Sequence, residues 1–235
     1  MPPRLLVFDL DGTLIDSEQD LANSVNATLA HLHRPPLPIP LIRSFIGDGA
    51  SMLLRRALGD PEGDIHDVQY VTTALTYFLD HYRFHKLDHT RPYPGVLDAL
   101  TDLRATLPDA LLAVLTNKPV NPSREICAGL NLGPFFFQIY GGDSFHLKKP
   151  DPTGLQTLIA EATSLLLQTD ATAAPILPSE TVMIGDSAID IATAQAAGTL
   201  SLGCTFGLSA DTLAAATPTA LAHATADWPR LLVSL

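Results

Sequence analysis

Apolar runs without alternation recur along this chain: RLLVFD (4–9), ALLAVLT (110–116), FFQIYGG (136–142), TVMIGD (181–186) and TLSLG (199–203). A strand with one wet face alternates polar and apolar residues. Continuous runs therefore predict strands covered on both sides, as in a parallel sheet. Between the runs lie stretches with helical spacing, near 95–106, 120–130, 152–167 and 187–197. Strands alternating with helices imply right-handed crossovers. The pattern predicts an α/β fold with a doubly wound, Rossmann-like parallel sheet.

One interval breaks the rhythm. Between the first run and YPGV (93–96) no strand pattern occurs. SEQDLANSVNATLAHLH (17–33) has helical spacing, with Ser17 placed as an N-cap. RPPLPIP (34–40) reads as a rigid connector, and ASMLLRRAL and VQYVTTALTYFLDHYRFH read as two further helices. The expected division is a core of residues 1–15 and 89–235 carrying an all-helical insertion, a cap, of residues 16–88. The connections near 14–17 and 88–94 are its natural hinges, and QTDATAAPILPSE (168–180) reads as a loose loop.

Composition narrows the class. With 46% hydrophobic residues in 235, the chain can bury a sizeable core, and a net charge of −11 disfavours nucleic acid and anionic membranes as partners. An anionic ligand must then be attracted by local groups against the global field. Cys127 and Cys204 show no metal spacing and read as reduced thiols. No run reaches the length of a membrane span and no signal-peptide pattern opens the chain. The expected location is the cytoplasm.

Chemistry collects where the apolar runs end, the place where open α/β sheets bind ligands. Asp9 and Asp11 end the first run, and Gly12-Thr13 follows at once. On one strand face, at a separation of ~5 Å and an effective dielectric of ~20, two carboxylates repel by roughly 3 kcal/mol. The repulsion must be neutralised by a proton, a cation or a metal. Thr116 and Asn117 end the second run, Lys149 follows the third within LKKPDP, and Asp186 ends the fourth with Asp190 four residues on.

VFDLDGTLIDS, LTNKP, KKPDP and GDSAID, in this order, resemble the four motifs of the haloacid dehalogenase-like phosphatase superfamily. IGDGASMLLRRAL, DHTRPYPGV and GGDSFHLKKPDP carry a closer likeness to its bacterial phosphoglycolate phosphatases. The resemblance spans essentially the whole chain. It implies a Mg²⁺ ion held by Asp9, the main-chain carbonyl of Asp11 and Asp186, with Asp190 acting directly or through water. An oxygen-only ligand set is what Mg²⁺ prefers.

The residue types fit the same chemistry. A carboxylate can attack phosphorus and form an aspartyl-phosphate, a role for Asp9. Asp11 would protonate the leaving alkoxide and then take a proton from the attacking water. Gly12 leaves room for the phosphoryl group, Thr116 offers a hydroxyl and a backbone N–H, and Asn117 lies beside it. Lys149 supplies a cation to the developing charge. In the insertion, Gly47-Asp48-Gly49-Ala50 precedes a helix and offers backbone N–H groups to an anion. A small phosphomonoester with a carboxylate at its far end, such as 2-phosphoglycolate, would bridge that loop to Mg²⁺ and Lys149. The expected partner is thus a small-molecule phosphomonoester, bound by a monomer or homodimer.

Other features have simpler readings. His81, His85 and His89 form a solvated stripe or a hinge contact, Phe135 to Phe137 pack a buried strand, and Arg55 and Arg56 are the polar side of a helix. Lys148 reads as solvated beside Lys149. A sugar phosphatase or phosphomutase keeps all four motifs and is the enzymatic alternative. A phospho-accepting signalling module is the alternative of another class, but such modules are shorter, lack a helical insertion and do not place D-x-D-G near the start of the chain.

Overall fold

Leu5 to Phe8 are apolar at every position because both faces are covered, and they form β1 (Leu5–Phe8) near the middle of a six-stranded sheet. In the computed structural model, which describes residues 2–235, a short strand β2 (Ile15–Asp16) follows. Four helices come next: α1 (Glu18–His31), α2 (Ile39–Arg43), α3 (Ala50–Ala57) and α4 (Val68–His85). The chain returns through β3 (Arg91–Pro92), then runs α5 (Val96–Thr106), β4 (Leu111–Leu115), α6 (Val120–Gly129), β5 (Gln138–Tyr140) and α7 (Thr153–Thr169). It ends with β6 (Thr181–Gly185), α8 (Ala188–Ala197), β7 (Leu200–Cys204), α9 (Leu213–Ala216), β8 (Ala220–Ala222) and α10 (Trp228–Ser234).

The large sheet is parallel throughout, in the order β5-β4-β1-β6-β7-β8. The chain winds outward from β1 through β4 to β5, then crosses to β6 and winds outward on the other side. Two apolar layers cover opposite faces of the sheet. Leu6 and Phe8 belong to the layer containing Val96, Leu100 and Leu103 of α5 and Trp228 and Leu232 of α10. Leu5 and Val7 join Leu155, Leu158 and Ala162 of α7 and Ala194 of α8. The alternation of strand side chains thus builds two apolar layers on one sheet.

All five expected strands are present. The sixth, β8, is a three-residue edge strand that no apolar run predicts. The ribbon β2–β3, with two residues in each strand, has no sequence pattern either. It is antiparallel, pairing Ile15 with Pro92 and Asp16 with Arg91, and joins the two connections to the helical insertion. Within the insertion α1 packs on α4, and Leu21, Val25 and Leu29 of α1 share a buried cluster with Ala74, Phe78 and Tyr82 of α4.

Asp20 fixes the start of α1 to the returning chain. Its buried carboxylate accepts from the backbone N–H of His89 (3.0 Å) and Thr90 (2.8 Å) and from the Thr90 hydroxyl (2.8 Å). Asp20→Ala would leave these donors without an acceptor, and we expect a loss of about 3 kcal/mol in urea unfolding. A loss below about 1 kcal/mol would show that the donors find other partners. No helix among the described residues is long and apolar enough to cross a membrane.

Candidate active site

Asp9, Thr116 and Asp186 stand immediately beyond the C-terminal ends of β1, β4 and β6, the three adjacent strands at which the winding reverses. That crevice is where an open parallel sheet leaves room for a ligand. The Asp9 backbone N–H still donates to Ile184 (2.8 Å), so the carboxylate is carried by the sheet. Lys149 Nζ lies 2.8 Å from Asp9 Oδ1 and 2.6 Å from Asp190 Oδ1. The other Asp190 oxygen accepts from the Ser187 N–H (3.1 Å) and hydroxyl (2.7 Å), a capping box that starts α8. Both oxygens of Asp190 are therefore engaged. Asp186 Oδ2 accepts from the Ser209 N–H at 2.8 Å.

Gly12 has φ +88°, and a Cβ there would collide with the Asp186 carboxylate. The glycine is thus required by the approach of Asp186 as well as by the turn after β1.

One ligand atom from each of Asp9, Asp186 and Asp190 can be chosen so that all lie within 4.8 Å of one another, and all three residues are buried. Lys149 is the ammonium beside them, one positive charge for three carboxylates. Burial pushes the Asp9 pKa up to about 6; Lys149 pulls it down and Asp190 adds to the rise. Burial, followed by the charges of Asp190 and Asp9, lifts Asp186 well above the ordinary carboxylate range. The cluster is short of positive charge. A hard divalent cation fits an all-oxygen donor set of this kind.

Asp11 is neutralised separately. Both of its oxygens lie 2.9 Å from Lys118 Nζ, and the Ser17 hydroxyl donates to Oδ1 at 2.5 Å. The repulsion between the first two carboxylates is thus met by two lysines, one for each. The sequence pattern does not single out Lys118, although it stands in the same LTNKP motif as Thr116. Burial works against its charge, but Asp11 and Tyr82 outweigh burial and raise its pKa. The Tyr82 ring, from α4, faces the ammonium at 4.8 Å, and burial pushes the Tyr82 phenol up to about 12.

These groups surround a cavity of about 50 Å³ between the sheet edge and the helical insertion. Asp9, Asp11, Thr116, Lys118 and Asp186 line it from below, and Leu21, Leu53, Phe78 and Tyr82 from above. That volume holds no more than a few waters.

The structure revises several expected roles. The Thr116 N–H donates to Tyr140 (3.0 Å) within the sheet, leaving only the hydroxyl for a ligand. The Asn117 amide lines the cavity, but its N–H groups bind the carbonyls of Gly47 and Lys149, both at 3.1 Å, tying the insertion to the core. Gly47, Gly49 and Ala50 also line the cavity, whereas Asp48 does not; its carboxylate pairs with Arg56 at 2.5 Å. Lys148 is not simply solvated, since its ammonium donates to the Asp48 carbonyl across the same junction. The observed bonds of this loop therefore present carbonyl oxygens to the core. Arg43 adds a further tie, donating to Leu208 and Gly207, each at 3.0 Å. His81 and His85 stack on each other, with His81 bonded to Ser24 and His85 to Asp88.

A family model described as haloacid dehalogenase-like hydrolase matches residues 6–204. The phosphoglycolate phosphatase of Chromobacterium violaceum is 39% identical over 214 residues, covering 90% of each chain. That of Pseudomonas putida is 39% identical over 208 residues, 87% of this chain and 70% of its own. Among solved structures, a protein from Haemophilus somnus described as a predicted phosphoglycolate phosphatase superposes with a TM-score of 0.85 at 28% identity, over 97% of both chains.

Proposed function

This chain belongs to the haloacid dehalogenase-like hydrolase family and is a phosphatase, and from that premise we propose that it hydrolyses 2-phosphoglycolate with Mg²⁺ through an aspartyl-phosphate on Asp9. Asp9 Oδ attacks phosphorus as the bond from phosphorus to the bridging oxygen breaks. Asp11, which must take up a proton as the ester binds, gives it to the departing glycolate oxygen, then takes one from the water that attacks the aspartyl-phosphate, releasing inorganic phosphate and restoring Asp9. The Thr116 hydroxyl donates to a phosphoryl oxygen, and Lys149 offsets the charge spread over the others. Asp190, with both oxygens engaged, holds Lys149 in place. Asp9, the Asp11 main-chain carbonyl and Asp186 would hold Mg²⁺, which supplies the positive charge this carboxylate cluster lacks. Residues 16–88 act as a cap that excludes water.

The narrow cavity beside Asp9, about 50 Å³, supports the substrate reading, because it favours a short ester over a sugar ring. The names of the relatives point the same way. A panel of phosphomonoesters assayed with Mg²⁺ tests it. We expect kcat/KM for 2-phosphoglycolate to exceed that for hexose phosphates by at least about tenfold. A preference for hexose phosphates would replace this reading with the sugar-phosphate one.

A further inference from the structure

We propose that Lys118 and Tyr82 form the subsite for the carboxylate of the leaving group, an inference that rests on the phosphoglycolate reading. An ammonium has three N–H donors. Two of those on Lys118 face the two oxygens of Asp11. The buried Tyr82 hydroxyl has no acceptor for its proton, and its ring lies against the same ammonium. A phenol orphaned in this way loses its hydration with no return, unless a ligand supplies the missing acceptor. Among the described residues lining the cavity, Lys118 is the one cation, and the facing walls from Leu21, Leu53 and Phe78 are apolar. An anion entering this space has one charged partner available on that side.

The reach agrees with the chemistry. In the proposed reaction Asp11 addresses the bridging oxygen of the ester. In glycolate the carboxyl carbon is separated from that oxygen by a single methylene. A cation in hydrogen-bond contact with Asp11 is therefore placed to meet the carboxylate while Asp11 meets the oxygen. The loop at 47–50, the site expected for this group, offers carbonyls to Asn117 and Lys148 instead. Lys118 stands in the core loop between β4 and α6 and Tyr82 on α4, so the subsite is complete only when the insertion covers the core. Recognition of the carboxylate and closure over Asp9 then become one event.

The test compares carboxylate-bearing esters, 2-phosphoglycolate and 3-phosphoglycerate, with propyl phosphate, whose leaving group is neutral, in wild type, Lys118→Met and Tyr82→Phe. The quantity read is the ratio of kcat/KM between acid and neutral ester, with thermal melts confirming that each variant is folded. For Lys118→Met we expect the ratio to fall by about 10²-fold, mostly through KM. Tyr82→Phe keeps the ring and its packing and should lower the ratio by about tenfold. If Lys118 acts only by holding Asp11, both kinds of ester lose equally and the ratio stays put, which overturns the subsite while 2-phosphoglycolate remains the preferred substrate. If wild type prefers 3-phosphoglycerate and the ratio collapses in Lys118→Met, the substrate reading falls and the subsite stands. A wild type indifferent to the carboxylate rejects both.

Discussion

Asp9→Asn is expected to reduce kcat by on the order of 10⁴-fold or more, to background. An amide is a poor nucleophile, and no neighbouring carboxylate is free to replace Asp9. Asp190 has one oxygen on Lys149 and the other on Ser187. Asp186 is held by the Ser209 N–H, and Asp11 by Lys118 and Ser17. The fold should survive, because the replacement has the same shape and removes a buried charge whose pKa burial has already raised to about 6. In the absence of metal, the variant should melt no lower than wild type at neutral pH. Normal folding with lost turnover is the expected pair of results. Turnover within about tenfold of wild type would remove Asp9 as the nucleophile.

The legible parts of this molecule were those in which one residue's position is set by its immediate neighbours. Uninterrupted apolar runs announced five strands, of which β5 is a half-buried edge strand rather than a covered one, and carboxylates at their ends announced Asp9 and Asp186, because a strand delivers its next residue to a fixed place. Lys118 shows the limit. Its partner Asp11 lies 107 positions away, and no local pattern tells which of the two lysines will meet which carboxylate. The Thr116 N–H was misassigned for a related reason, since its capture by Tyr140 depends on the neighbouring strand β5. Short pieces were illegible for want of length. β8 has three residues, and β2 and β3 have two each, too few to display a period. The Asp20 clamp, which unites residues 20, 89 and 90, exists only once both connections have been brought together.

Chelation with EDTA is expected to take activity to background, with Mg²⁺ restoring it and Ca²⁺ failing to do so. The larger ion accepts looser coordination than an in-line displacement at phosphorus requires. The carboxylate cluster makes a second demand that can be read without catalysis. Asp9 has an ordinary value of 3.8 and is pushed by burial to about 6 in the folded chain. A raised acid favours the folded state in its protonated form. Its contribution is fully present below about pH 3.8 and is lost as pH rises through about 6, a destabilisation of about 3 kcal/mol. Asp186 shifts in the same direction. A divalent cation bound by the ionised cluster offsets that loss, so Mg²⁺ should raise the melting temperature more at about pH 7.5 than at about pH 5. Asp9→Asn should flatten this difference, because one of the titrating ligands is gone. Full turnover in EDTA would reject the metal. A Mg²⁺ shift equal at both pH values would place the bound ion away from Asp9 and Asp186.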